Sequence, residues 1–322
     1  MPGEKSHQPN DKLFSITFRR AENTAALLQA KLPQPIAAAI DWSQLRHQPG
    51  SFIDSHFSRS HTDLLFSAPL AGHDCLIYLL FEHQSTRDRL LPLRLLRYMV
   101  RIWENLVETN PARERLPVIL PVVLSQNAET WEISPQFAAL CDVPESLASD
   151  LLAFLPDFFF AHLQLAAMAF EAIPGAPAGI LVLRAMKAER LGRLLDDALW
   201  DEELILRVPR RVLQLVLRYI LGAEIDRESF EARVAKINDP GTRSAVMSLA
   251  QRYRQEGRQE GRQEGRQEGR QEYILEVLTI RFGRIPVGLK EAVHGIEDDA
   301  MLQELLRTAI QCQSLEAFTE EI

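Results

Sequence analysis

Between residues 11 and 32 apolar side chains recur at Leu13, Phe14, Phe18, Ala21, Ala25, Leu28 and Leu32. This is the spacing of one helical face, and Pro33 ends it. A short second helix over residues 36–40 follows. From Ser51 the period changes, and residues 51–53, 62–67 and 75–82 read as strands, the last two joined by a turn at Gly72-His73-Asp74. The third of these is apolar almost throughout, as a central strand covered on both faces should be. Residues 90–107 return to helical spacing and residues 116–124 form a fourth strand. Beyond Trp131 the pattern is almost entirely helical, broken at Pro135, Pro144, Pro156, Pro174, Pro177, Pro209 and Pro240, and densest in apolar residues over 204–221. The expected fold class is α/β: a core ordered helix, three strands, helix, strand, followed by a largely helical region.

The unit Arg-Gln-Glu-Gly then runs four times from Arg254 to Gly269, followed by Arg270-Gln271-Glu272. On a helix a four-residue period drifts by about 40° per unit, so it builds no apolar seam. Like charges fall four apart, opposite charges two apart, and each glycine costs roughly 1 kcal/mol relative to alanine. A marginal helix or flexible linker is expected. Five arginines and five glutamates make it neutral, which argues against a polybasic arm. The organisation predicted is a disordered start at 1–10, a core at 11–131, a helical extension at 132–253, a linker at 254–272 and a small helical domain at 273–322.

Composition narrows the class. The 322 residues are 46% apolar and 25% charged, enough for two or three globular domains. The sequence has no uncharged apolar run of 18 residues and no apolar stretch in its first residues, so a cytoplasmic protein without a membrane segment is expected. Cys75, Cys141 and Cys312 lie far apart and form no C-x-x-C pair, the arrangement of core residues. The formal charge of -8 is uneven: residues 1–130 carry 14 Lys+Arg against 13 Asp+Glu, and six of the eight histidines, while the remainder carries 22 against 31. Any polyanion-binding surface belongs in the first part.

No phosphate-binding loop, dinucleotide fingerprint, zincin helix or nucleophile elbow occurs. What remains is an acid in each of two successive strands, Asp63 and Glu82, with His83-Gln84 after the second. Carboxylates on paired strands can stand about 4–6 Å apart and share a hard divalent cation. The competing reading makes Asp63 a turn cap and Glu82 a solvated strand end. Arg94, Arg97 and Arg101 fall within about a 60° arc of the next helix, opposite Leu95, Leu96, Met99, Ile102, Trp103 and Leu106. Such a stripe suits a phosphate backbone, and equally suits a solvated face on which Arg101 pairs with Glu104.

His61-Thr62-Asp63-Leu64-Leu65-Phe66, Tyr78-Leu79-Leu80-Phe81-Glu82-His83-Gln84-Ser85, Pro92-Leu93-Arg94-Leu95-Leu96-Arg97-Tyr98 and the strand from Leu116 to Leu124 together resemble the recombination-promoting nuclease (Rpn) family, also called YhgA-like putative transposases. The resemblance extends over residues 11–254. It implies membership of the PD-(D/E)XK nuclease-like superfamily, whose core has the element order already read. It also implies a DNA endonuclease using Mg²⁺ or Mn²⁺, with Asp63 and Glu82 as metal ligands, Gln84 at the position of the superfamily lysine, and Asp11 as a further acid. A neutral glutamine hydrogen-bonds but brings no charge to the transition state. Residues 278–286 and 314–316 resemble a small helical domain often appended to these proteins, which implies no activity. The competing function is a DNA- or protein-binding module that keeps the nuclease fold without cleavage. No separate sequence-specific DNA-binding motif supports transposition in the strict sense. The sequence identifies no protein partner, and a homo-oligomer is compatible with it.

Overall fold

The computed structural model describes residues 8–49, 63–82, 88–223, 225–296 and 298–322. Its contacts divide it into two compact units, Met1–Leu249 and Ala250–Ile322.

The first unit opens with α1 (Gln8–Phe18), α2 (Ala21–Gln29) and α3 (Gln34–Ala39). The single helix expected over 11–32 is therefore two. Arg20 is extended between them, and the Asn23 amide and Thr24 hydroxyl donate to the carbonyls of Thr17 and Phe18, at 2.8 and 2.6 Å. Those bonds satisfy the last carbonyls of α1 and end it. Apolar spacing continues across the break because both helices turn their apolar sides inward.

A five-stranded sheet follows, ordered β1 (Arg46–Gln48), β2 (Leu64–Leu70), β3 (His73–Glu82), β4 (Val118–Ser125) and β5 (Ala161–Gln164). The strand expected at 51–53 lies outside the described residues. The first three strands pair antiparallel and the last two join parallel. The crossover from β3 to β4 is α4 (Leu91–Thr109), as a parallel connection requires. The turn joining β2 and β3 is centred on Ala71-Gly72, one residue before the expected place, because pairing continues out to Leu70↔His73. Both turn residues have positive φ, 50° and 83°, the requirement of a two-residue hairpin that follows the sheet twist. β5 is a strand in a stretch read as helical. At four residues it is too short to show a period, and its pairing with β4, not its own pattern, makes it a strand.

Strand alternation gives the sheet two apolar faces. On the front, Leu65, Tyr78, Leu80, Ile119 and Val123 pack with Leu91, Leu95, Tyr98, Met99 and Ile102 of α4. On the rear, Phe81 stacks on Phe14 of α1 at 4.4 Å, and the Gln126 amide donates to Met186 O at 2.7 Å, on α6 (Pro177–Arg190). The short α5 (Ala148–Leu151) precedes β5, and α7 (Glu202–Arg207), α8 (Arg210–Leu221) and α9 (Arg227–Ala235) complete the helical region. Mixed α/β architecture with an extensive helical part is thus the fold.

α10 (Pro240–Phe282) contains the whole repeat. In the second unit, Ile274 and Leu278 of α10 pack with residues of α11 (Val287–His294), α12 (Asp299–Gln311) and α13 (Leu315–Thr319). The end of the repeat belongs to this packing. The Gln271 amide, 4% exposed, donates to His294 O and Ile296 O at 3.2 and 2.9 Å, and that of Gln267 to Ile296 O at 3.2 Å. These glutamines occupy the carbonyls left open where α11 ends. No described helix is long and apolar enough to cross a membrane.

Candidate active site at the end of the central strands

Asp63 immediately precedes β2, and Glu82 is the last residue of β3. Leu65 pairs with Tyr78, so residues 63 and 65 of the first strand and 78, 80 and 82 of the second share the front face. Both carboxylates therefore stand on the α4 side of the sheet. Glu82 is 4% exposed. This buried position excludes the reading of Glu82 as a solvated strand end.

Two side chains of the front layer hold the acids. The Tyr78 hydroxyl donates to Asp63 Oδ2 at 2.8 Å. Tyr78 is fully buried, with its ring 5.2 Å from that of Tyr98. Burial first, and then the Asp63 charge, push both tyrosines above the ordinary phenol range, so Tyr78 stays a proton donor. Glu82 Oε2 accepts from the Arg94 guanidinium, whose other terminal nitrogen lies 3.2 Å from Asp88. Burial works against the Arg94 charge, but Glu82 and Asp88 outweigh it and its pKa is raised. Asp88 is itself fixed at the entrance of α4, where its carboxylate accepts from Leu90 N at 2.9 Å.

Glu82 stands opposite Ser125 in the parallel register, and its carbonyl accepts from Gln126 N at 3.0 Å. Ser125 is buried, with its Oγ 3.0 Å from Nε2 of His162. Burial pushes His162 down to about 4, so the ring is neutral at pH 7. The carboxyl ends of β3 and β4, with His162 of the short β5 beside them, thus carry a polar cluster of Glu82, Ser125 and His162. Such strand ends are where open α/β sheets place their chemistry.

The predicted residues are distributed unevenly around this centre. Asp63, Glu82 and Arg94 gather on the front face. Arg97 and Arg101 lie on the exposed side of α4, as the stripe requires, whereas Arg94 is turned inward onto Glu82. Asp11 is in the first turn of α1, and among the described residues no three His, Cys, Asp or Glu side chains form a metal-holding group. Gln84 lies outside the described residues. Sequence reasoning missed Tyr78, Asp88, Ser125 and His162. Tyr78 was legible in principle, four residues before Glu82 and so on its face. Asp88 had the signal of an acid just before a helix. Ser125 and His162 had none, because their placement depends on the short β5.

The hard oxygens of Asp63 and Glu82 suit a divalent cation of the Mg²⁺ type, and Glu82 is buried enough to need a positive partner. That partner is Arg94 in this arrangement, so any cation at Glu82 would share it with the guanidinium.

Comparison with known proteins places the chain. Recombination-promoting nuclease RpnA of Escherichia coli (strain K12) is 31% identical over 141 residues, 44% of this chain and 46% of the relative. RpnC of the same organism is 27% identical over 125 residues, 39% and 41%. The chain spans about half the length of these curated nuclease relatives. The E. coli protein named inactive recombination-promoting nuclease-like protein RpnE is 24% identical over 282 residues, 80% of this chain and 85% of its own. No solved structure matches the chain significantly. The family model described as putative transposase, YhgA-like, matches residues 8–205, which include every described element of the sheet and both acids, and the chain belongs to that family, whose relatives here are the recombination-promoting nucleases.

Proposed function

We propose that this chain is a divalent-metal-dependent DNA endonuclease of the recombination-promoting type, hydrolysing phosphodiester bonds at the end of β3. The observation that carries the reading is the pair of carboxylates, Asp63 and Glu82, on one face of adjacent strands at the mouth of a polar cluster, with exposed arginines on the next helix. Asp63 and Glu82 would hold Mg²⁺ or Mn²⁺. The bound cation would supply a Lewis acid for the scissile phosphate and lower the pKa of an attacking water.

The chain's own groups have separate tasks in this reading. Tyr78 fixes the rotamer of Asp63 by donating to one of its oxygens. Gln84, two residues past Glu82, hydrogen-bonds the water or the phosphate without adding charge. Arg97 and Arg101 receive backbone phosphates, a contact that depends on salt and not on base sequence. The relatives' names, recombination-promoting nuclease, support recombination as the setting and a nucleic acid as the substrate.

The test is nicking of supercoiled plasmid by the full chain in Mg²⁺, in Mn²⁺ and in EDTA, beside Asp63→Ala and Glu82→Ala. Metal-dependent nicking lost in both variants is expected. An intact plasmid in either metal across pH and salt would instead favour a second reading, a nuclease-fold DNA- or protein-binding module. The observation behind that alternative is the relative named inactive, which matches most of this chain.

A further inference from the structure

We infer that Arg94 competes with a divalent cation for Glu82, so that this arginine, and not only the two acids, sets the metal affinity of the site. The inference rests on the metal site proposed for Asp63 and Glu82. It concerns a residue whose position on α4 first suggested a solvent-facing phosphate contact.

The argument starts from Glu82. Its side chain is 5% exposed, and Oε2 already accepts a charge-assisted bond from the Arg94 guanidinium. Carboxylate oxygens bonded to a guanidinium and carboxylate oxygens bonded to a cation draw on the same lone pairs and the same negative charge. A dication placed beside Glu82 also meets the positive charge of Arg94 at close range, in surroundings that screen poorly. Binding of the cation and the Glu82–Arg94 pair are therefore antagonistic.

The arrangement around Arg94 makes the exchange feasible. Its second terminal nitrogen is 3.2 Å from Asp88, whose carboxylate is anchored by Leu90 N. Losing Glu82 thus leaves the guanidinium with an acid in place, and avoids the cost of a stranded buried charge. The Arg94 side chain is 27% exposed, so it has a route outward. The tyrosines Tyr78 and Tyr98 are the further titratable groups that interact with Arg94.

Calorimetric titration of the full chain with Mn²⁺ at pH 8 tests this without any cleavage assay. Arg94→Gln is expected to bind Mn²⁺ about tenfold more tightly than the parent, since charge repulsion across a few ångströms is worth at least that factor. Arg94→Lys keeps the charge and should bind like the parent or more weakly. Asp88→Asn, which leaves Arg94 with Glu82 alone, should bind about threefold more weakly. Unchanged or weaker binding by Arg94→Gln overturns the inference, and should that variant fail to fold, unchanged or tighter binding by Asp88→Asn does so. The underlying metal site is tested separately by Asp63→Asn and Glu82→Gln: if both bind Mn²⁺ like the parent, or the parent and Arg94→Gln both bind none, that site is wrong and the competition falls with it.

Discussion

The Tyr78–Asp63 bond allows a prediction whose sign depends on burial. Tyr78 is fully buried and Asp63 half-buried, so the two ends of one hydrogen bond differ in what they lose. Asp63→Ala leaves a phenol stranded in the front layer, a cost of about 1–3 kcal/mol. Tyr78→Phe keeps the ring and its contact with Tyr98 and removes one bond from the half-buried Asp63, a cost of about 1 kcal/mol. The double variant has no stranded group and should cost little more than Tyr78→Phe alone. The coupling should then be about 1–2 kcal/mol in favour of the pair. All four tryptophans, Trp42, Trp103, Trp131 and Trp200, lie in the first unit, so tryptophan fluorescence in a urea series reads that unit alone. Additive single variants, or an Asp63→Ala cheaper than Tyr78→Phe, would refute the reasoning.

Three further outcomes follow from local geometry. His162 has its pKa depressed by burial from 6.5 to about 4, so below pH 6.5 the unfolded chain takes up a proton that the folded one refuses. Stability from this group is complete above pH 6.5 and is lost as pH falls through 4, by at most about 3 kcal/mol; a pH series of urea midpoints should flatten in His162→Gln. Ala71 holds a φ of 50° in the β2–β3 turn, which costs an alanine about 1 kcal/mol, and Ala71→Asn should raise the urea midpoint by the equivalent of about 0.5–1 kcal/mol. A lowered midpoint would mean the turn has another form. Gly261, in the repeat, would meet nothing within 4 Å if given a Cβ. Gly261→Ala should therefore raise helical ellipticity and stabilise α10 by about 1 kcal/mol, and no change would mean the repeat is not helical in solution.

Much of the front layer was legible because its signals are local. The apolar run ending in Glu82, the α4 stripe and the apolar strand after it each lie within one element, and they specify a strand–helix–strand crossover nearly unaided. Both acids were singled out for the same reason, each being a lone acid beside or within one of two successive apolar strands. Legibility failed where structure depends on distant partners. β5 is four residues that become a strand by pairing with β4. The α1–α2 break depends on Asn23 and Thr24 reaching back to carbonyls six residues earlier. Arg94 shows the limit most clearly: its helical position puts it beside Arg97 and Arg101, but Glu82 and Asp88 draw its guanidinium toward the sheet, and no periodicity contains that information. In the repeat the four-residue pattern offers no apolar seam and reads as a spacer, yet Gln267 and Gln271 find carbonyls at the end of α11 that only tertiary packing supplies.

The two faces of the sheet are closed by very different stretches of chain. The front is covered by α4, which lies between the strands it covers, so residues 63–125 contain nearly the whole of that layer. The rear requires α6, and the Tyr219 hydroxyl of α8 is bonded to Asn10 of α1, 209 positions away. During synthesis the acids and their holders can therefore assemble when the ribosome has released about 125 residues, while Leu64, Phe66, Ile77, Leu79 and Val122 of the rear face still await most of their cover. Nascent chains arrested near residue 130 should bind holding chaperones, and chains extended beyond residue 225 should be released from them. For this fold the danger in biogenesis lies on the side of the sheet turned away from Asp63 and Glu82.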